Sequence, residues 1–422
     1  MDRLPLFNVR VLDLSKVWAG PYATRLLGDM GAEVIKIEAP NSWDLTRSLA
    51  LLPPDTERPY DKSGYFMEYN RNKYGCVLDL AKPRGRELAL RLVAMSDVVI
   101  ENYRADVMEG LGLSYAELRA VKPDIILVSM PSHGLWGPDA GRIGYGTHME
   151  QLSGLVSLTG YIGEMPHKSG ISYGDPVAGM TAAAATIAAL LHRRWTGEGQ
   201  HVEVAQVEAI LPFLGELFME YGMTGQEPPR RGNRHRSIAP HGVYRCAGDT
   251  FDELSASDSW VTIAVENDAQ FAALCDVIGR PELARGERYA DVVSRYRNQD
   301  DLDPIISEWT AGRTHHEAAE QLQAAGVPAE PVLTIPELVV DPHLNERGFW
   351  EEVTNRESGT WKMEAPAWRF SRAPAHVRLP APTFGEHNDY VFGDLLGLSE
   401  DEIAALEREG VTSREPVAGQ DE

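Results

Sequence analysis

An aspartate standing between a glycine and a proline, Gly174-Asp175-Pro176, follows Ile171-Ser172-Tyr173 and opens onto an alanine-rich run from Met180 to Leu191. Glycine and proline let the backbone turn sharply there, and the run that follows has the composition of a helix. Asp175 is expected as the N-cap of that helix, where backbone N–H groups and the helix dipole favour a carboxylate. Two roles fit the position. One is a cap without chemistry; the other is an ionised nucleophile, with the same amides stabilising the oxyanions its attack would create.

Other polar groupings point elsewhere. The cluster Arg230-Arg231-Gly232-Asn233-Arg234-His235-Arg236 can grip a carboxylate by forked hydrogen bonds, or serve as a linker face or subunit contact. His315-His316 falls in a helical pattern with no other ligand spaced suitably, so no metal site is expected. Gly141-Arg-Ile-Gly-Tyr-Gly146 has the glycines of a phosphate loop but lacks the following Lys-Ser/Thr and the strand and helix on either side.

The elements that must position these residues are legible in outline. Val9–Ser15 reads as a strand, Tyr22–Met30 as a helix stopped by Gly31, and Glu33–Glu38 as the next strand, which makes a parallel β-α-β unit. Strands at Cys76–Leu80, Val98–Glu101 and Ile125–Ser129 and helices at Pro83–Ser96 and Tyr115–Val121 continue the alternation. The expected fold class is therefore α/β, a doubly wound parallel sheet. Ligands of such sheets bind at the carboxyl ends of strands, where Val17, Trp18, Asn102, Tyr103 and Arg104 fall. Glycine, proline and charge mark a linker at Gly222–Arg236. Beyond it, strands at Val243–Cys246 and Trp260–Val265 and helices at Ala269–Ile278, Leu302–Thr310 and His315–Ala325 predict a smaller α/β domain. From Leu338 the chain reads as loop-rich, with Phe370–Pro382 extended and a closing helix at Glu400–Glu409.

Composition sets the class. A chain of 422 residues that is 43% hydrophobic buries full cores in two or three domains. Its formal charge of −23 argues against nucleic acid and anionic membrane as partners. A local cation cluster still suffices for an anionic ligand, because screening acts over roughly 8 Å. Cys76, Cys246 and Cys275 have neither metal spacing nor an even disulfide framework, which suits a reducing compartment. The N-terminus lacks a basic and an apolar targeting segment, so a cytoplasmic location is expected. The Met180–Leu191 run is shorter than the about 20 residues of a spanning helix.

The residues after Asp175, His192-Arg-Arg-Trp-Thr-Gly-Glu-Gly-Gln200 leading into His201-Val-Glu-Val-Ala205, resemble the class III CoA-transferases, the CaiB/BaiF family. The resemblance recurs along the chain: Val11-Leu-Asp-Leu-Ser15 with Trp18-Ala-Gly-Pro21, Leu27-Gly-Asp-Met-Gly-Ala-Glu-Val-Ile-Lys-Ile-Glu38, Asn70-Arg-Asn-Lys73 and Glu101-Asn-Tyr-Arg104. It continues through Leu111-Gly-Leu113, Gly232-Asn-Arg-His235, Ala325-Gly-Val-Pro328, Asp341-Pro-His343 and Leu396-Gly-Leu-Ser399.

That resemblance implies an acyl-CoA:carboxylate CoA-transferase with Asp175 as covalent nucleophile, no permanently bound cofactor, and acyl-CoA and a carboxylic acid as substrates. It implies that Val17, Trp18, Asn72, Lys73, Asn102, Tyr103, Arg104 and Arg142 bind coenzyme A, with Arg71 a further candidate. It also implies a Rossmann-like large domain from residues 1–221 and 347–422, linkers at 222–236 and 333–346, a small domain at 237–332, and an interlocked homodimer. The arginines favour succinyl-CoA as donor. The sequence departs from the family's pattern at Gly110, where a basic residue is usual, and at Ser255–Trp260, which is polar where some members carry a glycine-rich loop. Two alternatives share parts of the pattern. The α-methylacyl-CoA racemases have the same fold and use an Asp and a His on the α-carbon, but Tyr145 stands at the His position, and a phenol near pKa 10 is a poor base at neutral pH. A non-catalytic acyl-CoA-binding protein would keep the cations and have no need of Asp175.

Overall fold

The computed structural model describes residues 3–50, 52–53, 55–248 and 259–417, and they divide into two compact units. One comprises 1–155, 168–226 and 342–422; the other comprises 156–167 and 227–341. The segment 156–167, expected in the large domain, thus falls in the second unit.

In the first unit short apolar strands alternate with helices: β1 (Arg10–Asp13), α1 (Ala19–Asp29), β2 (Glu33–Glu38), α2 (Gly64–Asn70), β3 (Lys73–Val77), α3 (Pro83–Ala94), β4 (Val98–Glu101), α4 (Tyr115–Val121), β5 (Ile126–Ser129), α5 (Gly146–Leu152), α6 (Gly174–Thr196), β6 (His201–Glu203) and α7 (Gly215–Thr224). The six strands pair in parallel in the order β3-β2-β1-β4-β5-β6. Strand order reverses between β1 and β4, and such a switch point opens a crevice at the carboxyl ends of the strands.

Successive strand residues point to opposite faces. Val11, Val34, Val98, Ile100, Ile126 and Val128 pack with Ala19, Ala23 and Leu27 of α1 and Ala178 and Ala182 of α6. Their neighbours Leu12, Ile35, Ile37, Val99 and Leu127 meet Leu88 and Leu92 of α3 and Leu118 of α4. By length and composition α6, with 23 residues, is apolar enough to cross a membrane. Its alanine face is nevertheless committed to the sheet and α1.

The second unit contains β7 (His241–Arg245), β8 (Trp260–Ala264), α8 (Asp268–Val277), α9 (Gln299–Thr310), α10 (His315–Ala324), β9 (Ala329–Pro331) and α11 (Ile335–Val340). Its strands form an antiparallel sheet, β7-β8-β9, over a core that includes Val261, Ile263, Phe271, Ile306 and Leu322. The chain then returns to the first unit through the hairpin β10 (Trp350–Asn355) and β11 (Gly359–Glu364) and the helix α12 (Glu400–Arg408). Val391, Phe392, Ile403 and Leu406 close the second face of the large sheet.

Three local expectations are corrected. Strand β3 begins at Lys73 rather than Cys76, because Lys73 pairs with Val34 and lies inside the sheet. The region read as a linker from Gly222 is helical to Thr224 and stops where Gly225 takes φ +67°. The chain after Leu338, read as loop-rich, forms the β10–β11 hairpin, whose pairing of Val353 with Trp361 has no counterpart in a local reading. The polar stretch Ser255–Trp260 lies largely outside the described residues.

Candidate active site

Asp175 lies inside the first turn of α6, whose N-cap is Tyr173, so its carboxylate does not cap that helix. It reaches instead to the start of α1, where the backbone N–H of Ala19 hydrogen bonds to it. Gly179, one turn along α6, permits this approach: a Cβ there would stand 2.8 Å from the Ala19 carbonyl oxygen. Two helix N-termini thus converge on one carboxylate. Asp175 is 8% exposed. Burial pushes its carboxyl up, the Ala19 N–H pulls it down and the Glu150 carboxylate pushes it up again, leaving it at about 7.

The opposite side of Asp175 is formed by α5. A Cβ on Gly146 would lie 1.7 Å from Asp175 Oδ2, so the carboxylate occupies the space a side chain would need. Glu150, fully buried on the same helix, accepts hydrogen bonds from the Ser169 N–H and hydroxyl at 3.3 and 3.0 Å and from the Tyr173 N–H. It thereby straps the segment that delivers Asp175. Tyr145, at the head of α5, is exposed, and its N–H donates to His148 Nδ1 at 3.2 Å.

An aromatic group lies nearby. Trp18 packs against Tyr65 and Tyr69 at ring separations of 5.7 and 5.1 Å. Burial, then the charges of Asp175 and Asp44, push the Tyr65 phenol up. Trp18 Nε1 is buried without an acceptor, and Trp18 shares with Pro176 and Ile171 a cavity of about 260 Å³. Tyr65 and Tyr69 escaped the sequence reading; their signal was the i,i+4 spacing of two aromatics, which places them on one helix face.

The loop from β1 to α1 is held in a strained form. Val17 has φ +69°, a sparsely populated conformation for a β-branched residue. Its N–H donates to Asp44 Oδ1 at 3.1 Å, while Asn102 clamps the Lys16 peptide, accepting its N–H at 2.8 Å and donating to its carbonyl at 2.7 Å.

Lys73 and Asn72 do not offer their side chains to a ligand, which corrects that expectation. Lys73 Nζ is wholly buried and donates to Asp13 at 3.0 Å, to the Pro21 carbonyl at 2.9 Å and to Asn70 at 2.9 Å. A buried ammonium needs such partners, and even so burial lowers it to about 8. Asn72 Oδ1 accepts the Arg378 and Leu379 N–H groups, tying the returning chain to the sheet. Arg71 is likewise spent on Asp29 and Glu364.

Beside this loop, over the carboxyl ends of β1 to β4, lies a cavity of about 490 Å³. Tyr103, Lys16, Ser42 and Asp79 line it. Lys16 was missed by sequence reading and is its cation, with Nζ resting on the Ser42 carbonyl and hydroxyl at 2.6 and 2.7 Å. Arg104 and Arg142 do not line this cavity. They sit at the surface, paired with Asp106 at 2.7 Å and Asp139 at 3.1 Å. Of the arginine cluster, Arg230 donates to the Ser157 and Glu164 carbonyls and Arg234 pairs with Asp300 and Asp303, so both brace the second unit.

The ionisation of Asp175 makes a prediction. Raising its carboxyl from 3.8 to about 7 disfavours the ionised folded form by up to about 4 kcal/mol. The unfolded chain releases this proton above pH 3.8 and the folded chain only near 7, so stability falls as pH rises between those values. Asp175→Asn removes the penalty. Its melting temperature should exceed wild type at pH 8 and converge with it near pH 4; the same difference at both pH values would exclude ionisation as the cause.

The site has the parts of an acyl-transfer centre: a buried carboxylate, the Ala19 N–H beside it and an aromatic wall, with a cavity at the sheet's switch point lined by Lys16 of the same loop. Comparison with known proteins agrees. Residues 6–388 match CoA-transferase family III. The chain is 34% identical to the succinyl-CoA–D-citramalate CoA-transferase of Chloroflexus aurantiacus, over 96% of this chain and 98% of that one. It is also 34% identical to the succinate–glutarate CoA-transferase of Agrobacterium fabrum, over 93% and 96%. Among solved structures, a CaiB/BaiF family protein from Brucella suis superposes with a TM-score of 0.83 at 32% identity, covering 93% of this chain and all of that one. The chain belongs to CoA-transferase family III and is an enzyme that moves coenzyme A between carboxylic acids.

Proposed function

We propose that the enzyme takes coenzyme A from succinyl-CoA, passes it through a covalent intermediate on Asp175, and delivers it to a second carboxylic acid. The observation that carries this reading is the Asp175 carboxylate itself, buried between Gly146 and the Ala19 N–H. One Asp175 oxygen attacks the thioester carbonyl; the C–S bond breaks and CoA thiolate leaves, giving an aspartyl-succinyl anhydride. The thiolate then attacks Cγ of Asp175, succinate departs and an aspartyl-CoA thioester forms. The acceptor carboxylate attacks the same carbon, and returning thiolate cleaves the new anhydride at the acceptor's carbonyl, freeing Asp175. Each step exchanges one acyl bond for another of similar energy, so no ATP is consumed. The Ala19 N–H, at a helix N-terminus, is placed to stabilise oxyanions formed at Asp175.

Succinyl-CoA as donor is supported by the names of the two relatives above, each of which couples succinate or its thioester to a second dicarboxylic acid. A panel of dicarboxylic and hydroxydicarboxylic acids offered with succinyl-CoA, with products weighed by mass spectrometry, tests it. Transfer only from other acyl-CoA donors would reject succinyl-CoA.

The 490 Å³ cavity suits the phosphorylated adenosine end of coenzyme A. Lys16 lines that cavity and Ala19, three residues along the same loop, touches Asp175. Lys16→Ala should raise KM for succinyl-CoA about 10-fold or more, as for a lost charged hydrogen bond, and leave KM for the acceptor acid unchanged. Equal KM values for succinyl-CoA would remove Lys16 from the binding set.

A homodimer is part of the proposal. Phe213, Phe218, Met219, Tyr221 and Met223, on and beside α7, are each more than half exposed, and so many exposed large apolar side chains on one short segment suit an interaction face. Light scattering should give twice the chain mass; a monomer would contradict it.

A further inference from the structure

His315 and His316 open α10, and α11 carries Glu337 back to them. Glu337 Oε1 lies 2.8 Å from His315 Nε2 and 3.4 Å from His316 Nε2. The two rings stand 4.3 Å apart, and the three donor atoms lie within 4.8 Å of one another. Ligands of a tetrahedral zinc ion, each about 2.0–2.1 Å from the metal, stand about 3.3 Å from each other. Both nitrogen–oxygen separations are within about half an ångström of that spacing, so rotamer adjustments alone would admit the ion.

The surrounding groups orient these atoms as metal ligands are usually oriented. Ser259 Oγ lies 3.0 Å from His315 Nδ1, which leaves Nε2 directed at the centre. Glu337 Oε2 accepts the Thr334 N–H and hydroxyl, both at 2.7 Å, which turns Oε1 towards the imidazoles. Both histidines lie in the first turn of α10, on the end of the helix that faces Glu337. The His315, Glu337 and His316 side chains are 11%, 29% and 53% exposed, so one side of the centre is open to water.

We propose that His315, His316 and Glu337 form a binding site for a divalent transition-metal ion, with zinc the best match, that clamps α11 to α10 in the second unit. Two imidazoles and a carboxylate suit zinc, whereas magnesium and calcium prefer all-oxygen sets and copper(I) prefers sulfur.

The competing occupant is a proton shared by His315 and Glu337, and His316 separates the two cases. A proton bridge needs only His315 and Glu337; a metal uses His316 as well. Chelator-stripped full-length protein without an affinity tag is titrated with Co²⁺, which shows intense visible bands when four-coordinate, and then with Zn²⁺ in competition. One equivalent per chain should bind, and Zn²⁺ should raise the melting temperature. His316→Ala, at an exposed position that circular dichroism should show folded, is expected to weaken Zn²⁺ more than about 10-fold and abolish the thermal shift. Glu337→Gln should behave alike. The absence of a one-equivalent Co²⁺ band, or unchanged affinity in His316→Ala, would overturn the proposal.

Discussion

Asp175→Ala is expected to lower CoA transfer by about 10⁴-fold or more while leaving acyl-CoA binding within a few-fold, the pattern of a removed nucleophile. In the proposed mechanism this carboxylate exchanges acyl bonds in every step. Glu150 is the nearest candidate by charge to replace it, but its oxygens are occupied by Ser169 and Tyr173 and it is fully buried. The melting temperature of the variant should not fall, because the substitution deletes a carboxyl that burial disfavours. A large loss of acyl-CoA affinity along with rate would return Asp175 to a structural role. Initial rates with succinyl-CoA and a fluorescence titration with the same thioester separate the two outcomes.

Gly146→Ala should be nearly as damaging although residue 146 carries no functional group. Its new Cβ would fall 1.7 Å from Asp175 Oδ2 and 2.6 Å from Ser172 Cβ, so the carboxylate must move or α5 must shift. Displacing a reacting group by about 1 Å costs on the order of 10²-fold in rate, and losing the Ala19 hydrogen bond would add to this. The loss should fall on kcat more than on KM for succinyl-CoA, because the 490 Å³ cavity does not include residue 146. Wild-type kcat in Gly146→Ala would mean that the carboxylate works from another position.

These two residues mark where sequence reasoning reaches and where it stops. A Gly-Asp-Pro turn before an alanine run places Asp175 at a helix start through local signals, and the β-α alternation of the first 130 residues predicts a parallel sheet because each period is short and regular. The resemblance also misleads at one point: it implies that Lys73 binds coenzyme A, yet β3 starts three residues before the expected Cys76 and draws Lys73 into the sheet beside Asp13. Lys16 had no such prominence; only the folding of β1 beside β2 and β4 turns it into a cavity wall. Gly146 was noticed within a phosphate-loop-like run and set aside, since nothing local says that a carboxylate from 29 residues later fills its missing side chain. For the same reason His315-His316 read as a pair without a third ligand, when Glu337 returns to it through α11.

The covalent step at Asp175 is tested most directly by trapping. Enzyme incubated with succinyl-CoA and hydroxylamine, then digested and examined by mass spectrometry, should carry a hydroxamate on the peptide containing Asp175, at a stoichiometry approaching one per active site and absent without thioester. Complete turnover of succinyl-CoA with Asp175 unmodified, or a hydroxamate on another carboxylate, would contradict the account.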